Sequence, residues 1–327
     1  MALRLLNSVA RIGRGLLAIS AITAMSFASA ENAKPVRILV GFPAGGGTDI
    51  VARFLADKLK DELGAPVLVE NRPGAGGQIA AQVLKAAPTD GTVLFLTNDH
   101  TVAIIPLVMK NPGFNTEKDF APVAGVAGVT MALALSAGSH LRNFDDYIAW
   151  MRKEKTGAVG VPAPSSLPEF MVKAIGEKNG LDLVPVPYRG AAPMVSDMLG
   201  NQISAGMGSV NDFVEPQKAG KIRIVAFAGT ARHFMFPDVP TFSELGVSGF
   251  QAAPFYGIYV PAGTPKAVVD RLSDAVRKVL AISSIRERLM AQGLTVEYMN
   301  PQQLGAREHA YAQAWGSVIK ASGFVPQ

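Results

Sequence analysis

The run Gly41-Phe42-Pro43-Ala44-Gly45-Gly46-Gly47-Thr48 holds the residues best suited to chemistry in this chain, and that chemistry is anion binding. The G-x-x-x-x-G spacing of a nucleotide-binding loop is present, and Thr48 stands where its Ser or Thr would be. Gly47 occupies the lysine position, so no cation is offered to a β- or γ-phosphate, which argues against nucleotide hydrolysis. What remains is a glycine turn feeding a helix N-terminus, whose unpaired N–H groups and positive dipole end suit a carboxylate. Asn71-Arg72-Pro73-Gly74-Ala75-Gly76-Gly77 sits in the same strand-to-helix position. It fails the dinucleotide fingerprint, because Ile79 stands where the third glycine belongs. Two such loops on neighbouring strands would open on one carboxyl edge of a sheet, which favours binding over simple turns.

Other catalytic groupings are missing from the sequence. There is no G-x-S-x-G elbow and no cysteine nucleophile. His100, His140, His233 and His309 are dispersed, with no metal-ligand spacing. The expectation is therefore a binding protein with no metal, no cofactor and no turnover. Two residues keep alternative roles at this level. Asp49, in the first turn of its helix, either braces the glycine loop or meets an amino or hydroxyl group of a ligand. His100, just past a strand end, either touches ligand or faces solvent from a loop.

The elements that must position these loops alternate between short β-branched runs and helical ones, the pattern of α/β layering. Val36–Val40 reads as a strand, and Ile50, Val51, Phe54, Leu55, Leu59 and Leu63 mark a helix from Asp49, with Thr48 as N-cap and Gly64 as stop. Strands follow at Val67–Val69 and Val93–Leu96. The rhythm returns with strands Val159–Val161, Leu183–Val186 and Ile222–Phe227, separated by helices over 169–178 and up to Leu199. The C-terminal third reads as helical, with Val268, Leu272, Val276 and Leu280 on one face and a further stretch from Leu304 to Val318. The apolar runs Val129–Leu135 and Phe255–Val260 lie where one block ends and another begins, as crossovers would. The predicted organisation is one domain of residues 31–130 and 255–327 and another of 131–254, joined by a two-crossover hinge with a ligand cleft between them.

The first thirty residues bear on where the protein works. Arg4, Arg11 and Arg14 precede an apolar run from Leu16 to Phe27, and Ala28-Ser29-Ala30 has the form of a cleavage site. The expectation is a signal segment removed after Ala30, and a periplasmic location. Removing 30 of the 327 residues and three of the 31 basic side chains leaves 297 residues, with 26 acidic ones and a net charge of +2. With no basic run, nucleic acid is not an expected partner. The absence of cysteine rules out disulfides and a lipid anchor through an N-terminal thiol.

The two loops resemble the signature loops of the Bug family, the periplasmic solute receptors of tripartite tricarboxylate transporters. The likeness continues in Val186-Pro187-Tyr188-Arg189-Gly190-Ala191-Ala192-Pro193, Leu199-Gly200-Asn201-Gln202, Phe236-Pro237-Asp238-Val239-Pro240-Thr241 and Pro261-Ala262-Gly263-Thr264-Pro265. It covers nearly all of the chain after residue 30. It implies a type II periplasmic-binding-protein fold and a monomer that closes on a small carboxylate: a dicarboxylate or tricarboxylate, an acidic amino acid or an aromatic carboxylate. The partners it implies are the permease subunits of such a transporter or, as an alternative, a sensor kinase; an exported enzyme acting on an anionic substrate is the more distant alternative. In the family the two N-terminal loops grip one carboxylate through backbone amides and ordered waters. Carried over, this implies Phe42, Ala44, Gly45, Asp49 and Gly77 on one side, with Thr97 at a strand end. Ser165, Ser166, Tyr188 and Asn211 would face them from the second domain. The sequence departs from the family at 161–169, where Pro162 and Pro164 replace flexible glycines and remove backbone donors. Thr97-Asn98-Asp99-His100 is also more polar than the family's small residues, so Asp99 and His100 would adapt the pocket to an amine or ring nitrogen.

Overall fold

A computed structural model describes residues 34–154, 156–248, 250, 252–321 and 324–326; the expected signal segment at 1–30 lies outside them. The strands of the first half are β1 (Val36–Val40), β2 (Val67–Asn71), β3 (Val93–Asn98), β4 (Phe120–Gly128), β5 (Met131–Ser136) and β6 (Thr156–Val161). They are followed by β7 (Asp182–Pro187), β8 (Ala205–Ser209), β9 (Ile222–Phe227), β10 (Phe255–Pro261) and β11 (Thr295–Met299).

These strands form two mixed sheets with helices packed on them. The six-stranded sheet has the order β11-β4-β10-β3-β1-β2, and the five-stranded sheet has the order β7-β6-β8-β5-β9. In the first, β1 is parallel to β2 and β3, whereas β10 runs antiparallel to β3 and β4. In the second, β6 is parallel to β7 and β8, and β5 runs antiparallel to β8 and β9. The interior parallel strands β1 and β3 are mostly buried and apolar, whereas the edge strands β2 and β7 are partly open to solvent. The chain passes from the first sheet to the second between Gly128 and Met131, and returns between Phe227 and Phe255. The run Phe255–Val260 is itself an interior strand, buried along its whole length between β3 and β4. Met131–Leu135 likewise belongs to β5, between β8 and β9. Both runs read as connectors only because an apolar stretch does not announce its antiparallel neighbours.

The helix after β1 spans Gly47–Leu63 and buries Val51, Ala52, Leu55, Ala56 and Leu59 at helical spacing. Gly64 ends it in the left-handed region at φ 63°, its N–H returning to the Lys60 carbonyl. Its N-cap is Gly46; Thr48 lies buried inside the first turn and does not cap it. The second glycine loop forms a 3-10 turn over Ala75–Gly77 that feeds the helix Gln78–Lys85. Gly77 is obligatory there: φ is 98°, and a Cβ would run into Thr101, whose hydroxyl donates to the Gly76 carbonyl at 2.8 Å. The two loops therefore lie side by side at the carboxyl ends of β1 and β2, facing the five-stranded half.

Candidate functional site

Loop 41–47 is held by Asp49. Its Oδ2 accepts the Gly45 N–H and Arg53 Nε, each at 2.9 Å, and its Oδ1 accepts Asn71 Nδ2 at 2.9 Å. Asn71 Nδ2 also donates to the Phe42 carbonyl at 3.1 Å, so Asp49 and Asn71 tie the two glycine loops together. Burial pushes the Asp49 carboxyl up, but Arg53, the Gly45 N–H and Asn71 outweigh it and hold the group below its ordinary value. Of the two roles left open by the sequence, bracing is the one this geometry displays. The loop N–H groups have protein partners too: Gly46 N donates to Pro43 O at 3.4 Å and Gly77 N to Gly74 O at 3.0 Å. Gly47 N donates across the cleft to Asp212 Oδ1 at 2.9 Å.

The opposite wall is built from the ends of β6, β7 and β8. Gly190 N donates to the Pro162 carbonyl at 2.9 Å and Tyr188 N to the Val161 carbonyl at 2.8 Å, which fixes the proline loop against the β7 turn. Ser165 sits in the left-handed region at φ 51°, its N–H held by Glu169 Oε2 at 2.7 Å. Ser166 Oγ donates to the Ala163 carbonyl at 2.7 Å. The Tyr188 hydroxyl donates to Asp197 at 2.8 Å. Asn211, on the helix Val210–Lys218, donates from Nδ2 to the hydroxyl of Tyr256 on β10 at 3.2 Å, a second bond from one sheet's elements to the other's.

Between these walls lies an inner cavity of about 50 Å³. Its lining includes Phe42, Gly46, Gly47 and Thr48 from the first loop, and Asn98, Asp99 and His100 from the end of β3. Pro162, Ser166, Ser209, Asp212 and Tyr256 close it from the other side. Phe42 and Pro162 also line a larger cavity of about 240 Å³, together with Gly74, Ala75, Gly76, Pro164, Pro187 and Tyr188. A third, of about 260 Å³, reaches Gly45 and Asn211. Ala44, Asp49, Gly77, Thr97 and Ser165 line none of the three. Ala44 is exposed, Thr97 is fully buried, and Asp49 and Gly77 act from behind the loops.

Burial dominates the electrostatics of the inner cavity. It pushes Asp99 up to about 6 and Asp212 up to about 6, and it lowers His100 to about 4, so the imidazole is neutral at ordinary pH. Asp99 is 2% exposed and His100 7%, and the Nδ1 of His100 and the Oδ1 of Asn98 have no hydrogen-bond partner. Asp212 and Tyr256 are the residues that sequence reasoning missed. Asp212 had a local signal, since Ser209-Val210-Asn211-Asp212 has the form of a helix-start box, but its bond to Gly47 spans 165 positions. Tyr256 carried no signal within its apolar run. Among the described residues, no cluster of three or more His, Cys, Asp or Glu could hold a metal ion, and no helix is long and apolar enough to cross a membrane.

The tripartite tricarboxylate transporter family receptor model matches residues 51–324. Among solved structures, the periplasmic binding protein BugD is 30% identical, with a TM-score of 0.84 over 90% of this chain and 99% of its own. Rpa4515 of R. palustris with adipate is 27% identical, with a TM-score of 0.85 over 90% of this chain and 99% of its own. MatC of Rhodopseudomonas palustris with bound malate is 26% identical, with a TM-score of 0.81 over 88% and 100%.

Proposed function

From the premise that this chain belongs to the tripartite tricarboxylate transporter receptor family, the Bug family, we propose that it is a periplasmic receptor that captures a small carboxylate and passes it, without turnover, to the membrane subunits of such a transporter. The observation that carries this reading is the inner cavity, walled by a glycine loop and helix N-terminus from one sheet and by loops of the other. Adipate and malate in two similar receptors support a carboxylate as ligand. The binding domains are 31–130 with 255–327, and 131–254; every strand of the six-stranded sheet falls in the first and every strand of the five-stranded sheet in the second. Phe42, Ser166 and Tyr188 contact ligand directly, and Gly45 and Asn211 border the closing cleft. Asp49, Gly77, Thr97 and Ser165 shape the loops that Ala44 flanks. Residues 1–30 direct export and are cleaved off after Ala30, so the periplasmic form begins at Glu31.

A thermal-shift screen of dicarboxylates, tricarboxylates, acidic amino acids and aromatic carboxylates tests the reading. Ligand binds the folded cleft and not the unfolded chain, so at 100 times its dissociation constant it adds about 2.7 kcal/mol of stability. At least one of these probes should produce that rise. A flat response across the whole panel, on protein shown to be folded, contradicts the proposal.

A further inference from the structure

Two carboxyl groups, Asp99 and Asp212, line the inner cavity from opposite sides, and its lining holds no lysine or arginine. Among the described residues neither carboxyl takes part in an ion pair. Asp212 accepts the Gly47 N–H, and the Ser209 N–H also favours its ionised form. A carboxylate has about four lone-pair sites, so two backbone donors leave it able to accept more. Apart from these two carboxyls, the polar groups of the wall are neutral: Thr48, Asn98, His100, Ser166, Ser209 and Tyr256. Asn98 Oδ1 can only accept and is unpartnered, and His100 Nδ1, on a neutral ring 7% exposed, is unpartnered as well. A plain dicarboxylate placed here would meet two like charges, with the helix-end N–H of Gly47 already taken by Asp212. The inner cavity has room for about four water-sized groups, which suits a compact charged end and not a long chain. The remainder of a ligand would extend past Phe42 and Pro162 into the larger cavity beside Pro164, Pro187 and Tyr188.

We propose that the ligand carries a protonated amine beside its carboxylate, and that Asp212 is the side chain that receives the ammonium group, with Asn98 Oδ1 accepting from the same end and the Asp99 charge facing it across the cavity. This rests on the receptor reading above and narrows it to zwitterions. Asp212 is then a specificity-determining residue: it holds the wall of the cleft when it bonds Gly47, and it rewards a cation that an isosteric dicarboxylate lacks.

The test is isothermal calorimetry at pH 7.5 with pairs matched in carbon skeleton: aspartate against succinate, 4-aminobutyrate against butyrate, and phenylalanine against 3-phenylpropanoate. Butylamine serves as a cation without carboxylate. The expected result is a preference of about tenfold or more for the amine in at least one pair. Asp212→Asn, shown to be folded by circular dichroism, should reduce that preference to about twofold. Equal or tighter binding of the amine-free member in every pair that binds overturns the inference while leaving the receptor reading standing, and so does an amine preference that survives Asp212→Asn. Binding of butylamine alone, with no carboxylate bound, keeps the cation site and sinks the carboxylate receptor. Silence from all seven compounds overturns the inference, and the receptor reading falls with it only if the wider carboxylate panel is silent too.

Discussion

Replacing Asp212 by asparagine should stabilise the ligand-free protein at neutral pH and lose that benefit in acid. Burial raises the Asp212 carboxyl from 3.8 to about 6, which means that the folded state resists its ionisation. In the unfolded chain the group ionises at its ordinary value. Well below 3.8 both states are neutral and nothing is lost; between 3.8 and 6 the unfolded chain sheds its proton first, so stability falls as pH rises. Above 6 the loss is complete and reaches at most about 3 kcal/mol. Asparagine removes the charge and weakens the contacts to the Gly47 and Ser209 N–H groups, which a neutral amide oxygen accepts less strongly than a carboxylate does, at about 1 kcal/mol. The net gain is about 2 kcal/mol at pH 7.5 and falls to within about 1 kcal/mol of zero near pH 4. Urea denaturation of both proteins without ligand, at the two pH values, reads this directly from the midpoints and slopes. The change between the two pH values is the decisive quantity, because the weakened contacts cancel from it. An Asp212→Asn variant with the same difference from wild type at both pH values would refute the view that the fold disfavours the charge of this carboxylate.

Three other outcomes follow from the same geometry. Affinity for an amine-bearing probe should decline as pH is lowered through about 6, because bound ammonium needs Asp99 and Asp212 ionised, while His100 is already neutral and Tyr256 stays protonated; with Glu215 also facing this helix end, calorimetry on wild type and Asp212→Asn separates the contributions. Gly47→Ala places a Cβ against Asn211 and Asp212 across the cleft, so it should weaken binding by about tenfold or more and reduce ligand-induced compaction in small-angle scattering. Wild-type affinity in that variant would show that closure does not bring these groups together. Asp49→Ala frees Gly45, Asn71 and Arg53 at once and should cost about 2 kcal/mol in denaturation, whereas Arg53→Gln, at a half-exposed partner, should cost about 0.5 kcal/mol or less.

Much of this site was legible along the chain because its scaffold is local. The apolar period from Ile50 to Leu63, the stop at Gly64 and the glycines after β1 and β2 announce a strand, an anion-suited loop and a helix without reference to anything distant. The helix boundary moved because glycines at 45–47 allow a turn that starts the helix before Thr48 can cap it. What could not be read depends on pairing across the fold. β8 reads Ala-Gly-Met-Gly-Ser, a loop composition, and becomes a strand because β5 and β6 flank it. β4 contains Pro122 and Gly125, which weaken any strand signal, yet it pairs with both β10 and β11. The donors of the glycine loop look free in the sequence; that Gly47 bonds Asp212 emerges only when the two sheets meet.

Native mass spectrometry of the protein exported to the periplasm and purified without refolding tests the central claim most directly. The account predicts one retained small molecule at unit stoichiometry, bearing a carboxylate and released on unfolding. Retention of a molecule without a carboxylate, or an empty protein that also takes up none of the carboxylates added to it, would contradict it.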